Sequence, residues 1–173
     1  IAILDTGISG GLADLNVVGG TSCVGSDPDN WDDGNGHGTH VSGIAAAIDD
    51  EEGIVGVAPG ARLWAVKVLD NRGFGSFSDV ICGLDWVVEY ADTIDVINLS
   101  LSGATKKGKH KNCASSAFHR AICAVVTAGI PVVVAAGNQG TNAKTRVPAA
   151  FSEVIAVSAF ADVDGQMLCG VLE

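Results

Sequence analysis

The sequence predicts an α/β protein, a doubly wound and mostly parallel sheet flanked by helices, in one domain over residues 1–173. Three observations lead there. Short apolar runs that read as buried strands alternate with segments whose apolar residues recur at helical spacing, and that alternation builds parallel sheets with right-handed crossovers. The chain is 47% hydrophobic and 17% charged with 23 glycines, a profile that suits a tightly turned globule and excludes disorder. Finally, Asp5, His37 and Asn138 each stand where an apolar strand gives way to a turn. In parallel sheets, ligands collect at the carboxyl ends of the strands.

The elements follow in order. Residues 1–4 are a short buried strand, and residues 9–35, rich in Gly, Asp and Asn, are mostly loop with a strand near Val17 and Val18. Residues 38–48 are a helix of small side chains, and residues 54–60 a turn ending in Pro59. Residues 62–69 alternate like a strand. Val80, Ile81, Leu84, Val87 and Val88 give residues 76–90 a helical period. Residues 95–101 are a buried strand, and residues 113–129 a helix with Ser115 or Ser116 near its start and Gly129 at its stop. Residues 130–136 and 154–159 supply two further strands.

Composition excludes several functions. The formal charge is −10 and the pI about 4.6, unsuited to nucleic acid or an anionic membrane, which need clustered Lys and Arg. One short basic cluster, Lys106, Lys107, Lys109 and Lys111, reads as a solvated loop. No apolar run reaches the length of a membrane span. The chain opens at Ile1 inside a strand without a secretory signal pattern, so residues upstream are expected. Of the five cysteines, Cys113 and Cys123 make the best candidate pair, because a polar loop leads into a helix there; Cys23, Cys82 and Cys169 show no such context.

The three polar residues carry the chemistry. Asp5 ends Ile1-Ala2-Ile3-Leu4. It reads either as a turn-forming or capping carboxylate or as the acid that holds a histidine tautomer. His37 has a glycine on each side, which lets the backbone turn tightly and leaves the ring uncovered, against the usual buried structural histidine. His37 and His40 also stand three apart, a metal-binding spacing, but no Glu lies between them. Asn138 follows a fully apolar strand, and its amide reads as a turn former or as a donor to an oxygen gaining negative charge.

Six segments together resemble the subtilisin-like serine proteases: Ala2-Ile3-Leu4-Asp5-Thr6-Gly7, Gly36-His37-Gly38-Thr39-His40-Val41-Ser42-Gly43, Gly56-Val57-Ala58-Pro59, Ala65-Val66-Lys67-Val68-Leu69, Asp95-Val96-Ile97-Asn98-Leu99-Ser100-Leu101 and Ala135-Ala136-Gly137-Asn138. Asp5 and His37 also follow that family's triad order of Asp, His and Ser. The resemblance runs from Ile1 to about Asp164 and implies a partial peptidase domain of a secreted, monomeric endopeptidase acting on protein or peptide. It makes Asp5 the orienting acid, His37 the base and Asn138 the oxyanion donor. It sets Ser100, Leu101 and Ser102 along one side of the substrate backbone, and Gly73, Phe74 and Gly75 along the other. Ala135, Ala136 and Gly137 would line the pocket before the scissile bond. No cofactor is implied for catalysis. A structural calcium ion is implied, held by the side chains of Asp14 and Asp50 and the carbonyls of Ile48, Glu52 and Ile54.

The sequence also departs from the family. The Gly-Thr-Ser-Met-Ala segment that carries the nucleophile has no counterpart here, the tail from Gln166 to Glu173 is unlike the family's, and Ser102 stands where a glycine is common. The expectation is a chain incomplete at both ends and inactive by itself. Two alternatives accompany it. One is a non-catalytic relative that binds peptides or a protein partner through the groove. The other is a nucleotide-binding domain on Asp5-Thr6-Gly7-Ile8-Ser9-Gly10-Gly11, which lacks the required glycine spacing.

Overall fold

The computed structural model describes residues 1–105 and 112–159. The basic cluster at 106–111, the tail from residue 160 and Cys169 lie outside them. Six parallel strands form the main sheet: β1 (Ala2–Asp5), β2 (Val17–Ser22), β3 (Leu63–Lys67), β4 (Ile97–Leu99), β6 (Val132–Ala135) and β8 (Ile155–Val157), in the order β2-β3-β1-β4-β6-β8. A separate two-stranded antiparallel ribbon pairs β5 (Gly103–Ala104) with β7 (Arg146–Val147). The helices are α1 (His37–Ala46), α2 (Phe77–Glu89) and α3 (Ala117–Thr127), with a short 3₁₀ turn at Ala143–Thr145.

Helices cover both faces, as a doubly wound sheet requires, and the strands show why. Along β1, Ala2 and Leu4 enter the larger core under α2 and α3, while Ile3 enters the smaller core with Ala46, Ala47 and Leu63. Side chains alternate across a strand, so a run buried on both faces must be apolar throughout. On the larger face, Leu84 and Val87 of α2 meet Ile122 and Val125 of α3 over Val66, Ile97 and Val132. Two disulfides are formed, Cys23–Cys82 and Cys113–Cys123.

Some local expectations change. β2 runs six residues rather than two, because it pairs with β3 along Val17–Ser22. α1 ends at Ala46, not residue 48, since Ala47 turns to φ −53°, ψ 139°. α3 starts at Ala117, four residues later than expected: Ser116 caps it by accepting from the His119 amide, and Cys113 stays in the preceding turn. The β5–β7 ribbon has too few residues to leave a period in the sequence.

Candidate active site

The parallel strands place the ends of β1, β4 and β6 along one edge of the sheet, with Ile3 level with Asn98 and Leu99 level with Val134. Asp5 closes β1 with its side chain fully buried, and His37 opens α1 with 48% of its side chain exposed. His37 Nδ1 and Asp5 Oδ1 are 2.7 Å apart. The same oxygen accepts from the Thr6 amide at 2.7 Å, and Asp5 Oδ2 is buried with no partner among the described residues. The imidazole and one amide therefore supply the hydrogen bonding of this carboxylate.

Glycine makes the approach possible. Gly36 caps α1 with φ 101°, in the left-handed region that favours glycine. Gly38 has no room for a side chain: a Cβ there would stand 2.1 Å from the Gly7 carbonyl oxygen and 3.1 Å from Asp5 Cβ.

Asp33 secures the arrangement from behind. It accepts from the hydroxyls of Thr6 (2.9 Å) and Thr39 (2.6 Å) and from the amides of Asn35, Gly36 and Thr39. Thr6 Oγ1 in turn accepts from the Gly38 amide at 2.9 Å. Burial pushes the Asp33 carboxyl up, but the hydrogen bonds from Thr39, Gly36 and Asn35 outweigh it and hold the group at about 2. Lys67, at the end of β3, is buried and donates to the Thr6 carbonyl, to Asp32 O at 3.2 Å and to Asn71 Oδ1 at 3.1 Å. Its burial lowers the ammonium's pKa, opposed by Asp33, Asp32, Asp70 and Asp5.

A groove of about 680 Å³ opens beside His37. Ser100, Leu101 and Ser102 line one side and Gly73, Phe74 and Gly75 the other, with Phe77, Val80 and Phe118 also in its walls. Phe74 is 71% exposed. Its loop is held by Asp70, which accepts from the Arg72 and Phe74 amides at 2.9 and 3.0 Å and from the Arg72 guanidinium at 2.9 Å. The Phe74 amide bond, ahead of the bonds from Arg72, lowers the Asp70 pKa.

Ala135, Ala136, Gly137 and Asn138 are not in the groove's lining. Ala135 ends β6 and the other three follow it on the same edge of the sheet, where a Cβ on Gly137 would stand 3.6 Å from Ser102 Oγ. The Asn138 backbone N–H donates to Gln139 Oε1 at 3.1 Å. The pair His37 and His40 does not converge on a metal: Asp5 engages His37 Nδ1, and His40 lines a separate hollow with Asp14 and Ile54.

A model of the subtilase family, peptidase S8, matches residues 1–169. The chain belongs to the subtilase family. Subtilisin E of Bacillus subtilis is 42% identical over 162 residues, 92% of this chain and 40% of that protein. Subtilisin DY of Bacillus licheniformis is also 42% identical, over 92% of this chain and 55% of that protein. The thermostable alkaline protease of Halalkalibacterium halodurans is 43% identical over 96% of this chain and 42% of its own length. The crystal structure of a cold adapted subtilisin-like serine proteinase superposes with a TM-score of 0.77 at 29% identity, over 90% of this chain and 52% of that one. This subtilase chain thus spans about half the length of these relatives, or less.

Sequence reasoning missed Asp33, Lys67 and Asp70, none of which faces the groove as a candidate base or acid. Asp70 was the most legible, since Asp70-Asn71-Arg72-Gly73 has the composition of a side-chain-stapled turn. One serine sits in a Gly-Thr-Ser context, Ser22, but it ends the edge strand β2 with its hydroxyl on Val24 O at 3.0 Å rather than opening a helix.

The expected calcium ligands lie around residues 48–54. The Ile48 amide donates to Asp14 O at 3.0 Å, and a Cβ on Gly53 would stand 3.7 Å from Asp14 Oδ2. Asp14 Oδ1 is buried without a partner among the described residues. An orphaned carboxylate oxygen facing a loop rich in carbonyls and acids fits a hard cation. Asp50 is exposed, and its Oδ1 accepts from the Glu52 amide at 3.2 Å.

Proposed function

We propose that this chain supplies the acid, the base and the substrate groove of a subtilisin-like serine endopeptidase. The observation that supports the reading is the 2.7 Å contact between the buried Asp5 carboxylate and His37 Nδ1, beside a groove with two rims. With Nδ1–H donated to Asp5, His37 Nε2 presents a lone pair and takes the proton of a serine hydroxyl. Asp5 then stabilises the imidazolium without itself being protonated. The Asn138 side chain donates to the oxyanion of the tetrahedral intermediate. In a subtilisin itself, loss of such a donor lowers kcat by about 10²–10³, the family's own figure rather than one obtained from this chain.

An extended peptide lies between residues 100–102 and residues 73–75, adding its backbone as a further strand. Ala135, Ala136 and Gly137 shape the pocket before the scissile bond, and their small side chains leave room for a bulky apolar residue. The nucleophile comes from a Gly-Thr-Ser-Met-Ala segment that these 173 residues do not contain. The chain alone therefore holds peptide without turning it over.

The test takes the protein read through past Glu173. It should hydrolyse peptides and react with an organophosphonate at serine, and His37→Ala should abolish both. Unchanged turnover in that variant would overturn the assignment. The second reading, a peptide-binding relative, is favoured by one observation: both rims of the groove belong to this chain. Binding of a fluorescent apolar peptide to residues 1–173, weakened by Phe74→Ala, would support it only if the longer protein fails to label.

We also propose a calcium ion at Asp14, Asp50 and the carbonyls of Ile48, Glu52 and Ile54. It supplies positive charge to the orphaned Asp14 oxygen and ties the loop to the start of β2. Millimolar calcium should raise Tm, and Asp14→Asn should remove the rise; no shift in the unsubstituted chain would count against the site. Secretion fits the two disulfides and the likeness to a minor extracellular protease of Bacillus subtilis. A monomer acting on protein or peptide completes the reading.

A further inference from the structure

We propose that Cys113, His119, Cys123 and Glu153 form a redox-gated site for a zinc-type cation, closed while the disulfide is intact and opened by its reduction. One donor atom from each of the four lies within 4.8 Å of all the others, the cluster of this kind found among the described residues. None of the four lines the groove beside His37. The site is therefore independent of the peptidase reading.

Three segments bring the donors together. His119 and Cys123 stand four apart on α3 and so share a face of that helix. Cys113 lies in the turn before α3, with its Cα 5.9 Å from that of Cys123. Glu153 reaches in from the turn before β8, and its Oε2 lies 2.7 Å from His119 Nε2. Tetrahedral zinc with sulfur and nitrogen ligands needs donors about 3.3–3.8 Å apart. To meet that geometry the two sulfurs, once no longer bonded, and the His119 Nε2–Glu153 Oε2 pair at 2.7 Å move apart, while the widest pairs close by about 1 Å; two thiolates, an imidazole and a carboxylate suit zinc.

The histidine is already oriented for the task. Phe151 stacks on its ring at 4.0 Å with 5° between planes. Ser115 Oγ lies 2.9 Å from Nδ1. While the disulfide is intact Glu153 accepts from His119 Nε2–H, so the Ser115 hydroxyl donates to Nδ1; once Glu153 leaves Nε2, the ring proton moves to Nδ1 and is donated to Ser115 Oγ, the outer support that metal-bound histidines usually have. His119 and Cys123 are buried, while Cys113 and Glu153 are half-buried and give the ion a way in.

The chemistry balances. A dithiol reductant attacks the Cys113–Cys123 bond, passes through a mixed disulfide and leaves as its own cyclic disulfide, so two electrons and two protons end on the cysteines as two thiols. Zn²⁺ then displaces one proton from each thiol, and two protons are released. His119 enters as the neutral imidazole, and Glu153 turns from Nε2 to the metal.

The experiment uses residues 1–173, reduced under anaerobic conditions, freed of reductant and titrated with Co²⁺ and then Zn²⁺. The reduced chain should take up one Co²⁺ with a thiolate-to-metal absorption band, which one equivalent of Zn²⁺ bleaches; the oxidised chain should show none. The variant Cys23→Ser with Cys82→Ser should keep the band, and Glu153→Gln should weaken binding about tenfold or more. Absence of the band in the reduced chain overturns the proposal. So does a band that survives Cys113→Ser with Cys123→Ser. A band indifferent to Glu153→Gln overturns it too, because thiols of an unfolded chain would behave that way.

Discussion

Asp33 stands one step behind the Asp5–His37 contact, and its five hydrogen bonds join Thr6, next to Asp5, to the first turn of α1. Its folded value of about 2 lies below the ordinary 3.8. A depressed carboxyl contributes stability that is present above its unfolded value and lost as pH falls through its folded one. The window is therefore pH 4 to 2. The shift corresponds to about 2 kcal/mol, reduced to about 1 kcal/mol because the side chain is only partly buried and solvent screens it. Asp33→Asn should lower Tm near neutral pH, and the gap from the unsubstituted chain should narrow as pH drops from 4 to 2. A gap constant across that range would show that the carboxylate charge is not what holds the turn. At this scale the sequence singled out Asp5 and His37 as candidates, which stand out by an apolar run and by paired glycines. Asp33 hid in Asp32-Asp33-Gly34-Asn35, which reads as loop, because its partners are hydroxyls and amides that only the folded turn collects.

Among the elements, the crossing of α1 over the end of β1 is the critical packing. Gly38, Ser42 and Ala46 form its buried stripe, a row of small side chains that lets the helix backbone sit close to the strand. Gly38→Ala would drive a methyl into the Gly7 carbonyl and should cost about 3 kcal/mol or more. Denaturant unfolding measures it, and loss of the His37–Asp5 contact should follow as loss of the downfield Nδ1–H proton resonance in NMR spectra. A variant as stable as the original, with that resonance unchanged, would mean the crossing relaxes freely. The strands and helices were legible from period and apolarity. Their ends were not: β2 gains length from its partner β3, and α3 waits for the Ser116 cap. The ribbon of β5 and β7 depends entirely on residues 42 or more apart meeting.

For the molecule as a whole, the disulfides divide the work unequally. Cys23–Cys82 joins the chain just after β2 to α2 across 59 residues, whereas Cys113–Cys123 spans 10 at the start of α3. On a chain-entropy account, removing the first should cost about 4 kcal/mol and the second about 3 kcal/mol. Paired Cys→Ser variants compared by Tm would check the order, and a larger loss from the shorter loop would contradict it. The sequence nominated only the shorter pair, because a local loop-to-helix pattern is visible along the chain and a contact between distant segments is not.

By itself, the order of residues determined that this is a doubly wound α/β chain, that Asp5 ends a strand at the carboxyl edge of a parallel sheet and that His37 stands uncovered between two glycines. Those inferences rest on local period, glycine placement and strand polarity, all of which are written along the backbone. Tertiary structure alone decided the 2.7 Å contact between them, the Asp33 and Lys67 supports beneath it, and the meeting of Cys113, His119, Cys123 and Glu153. Hydrogen bonds and ligand clusters depend on distances between atoms far apart in the chain, and only the packing of helices on the sheet sets those distances.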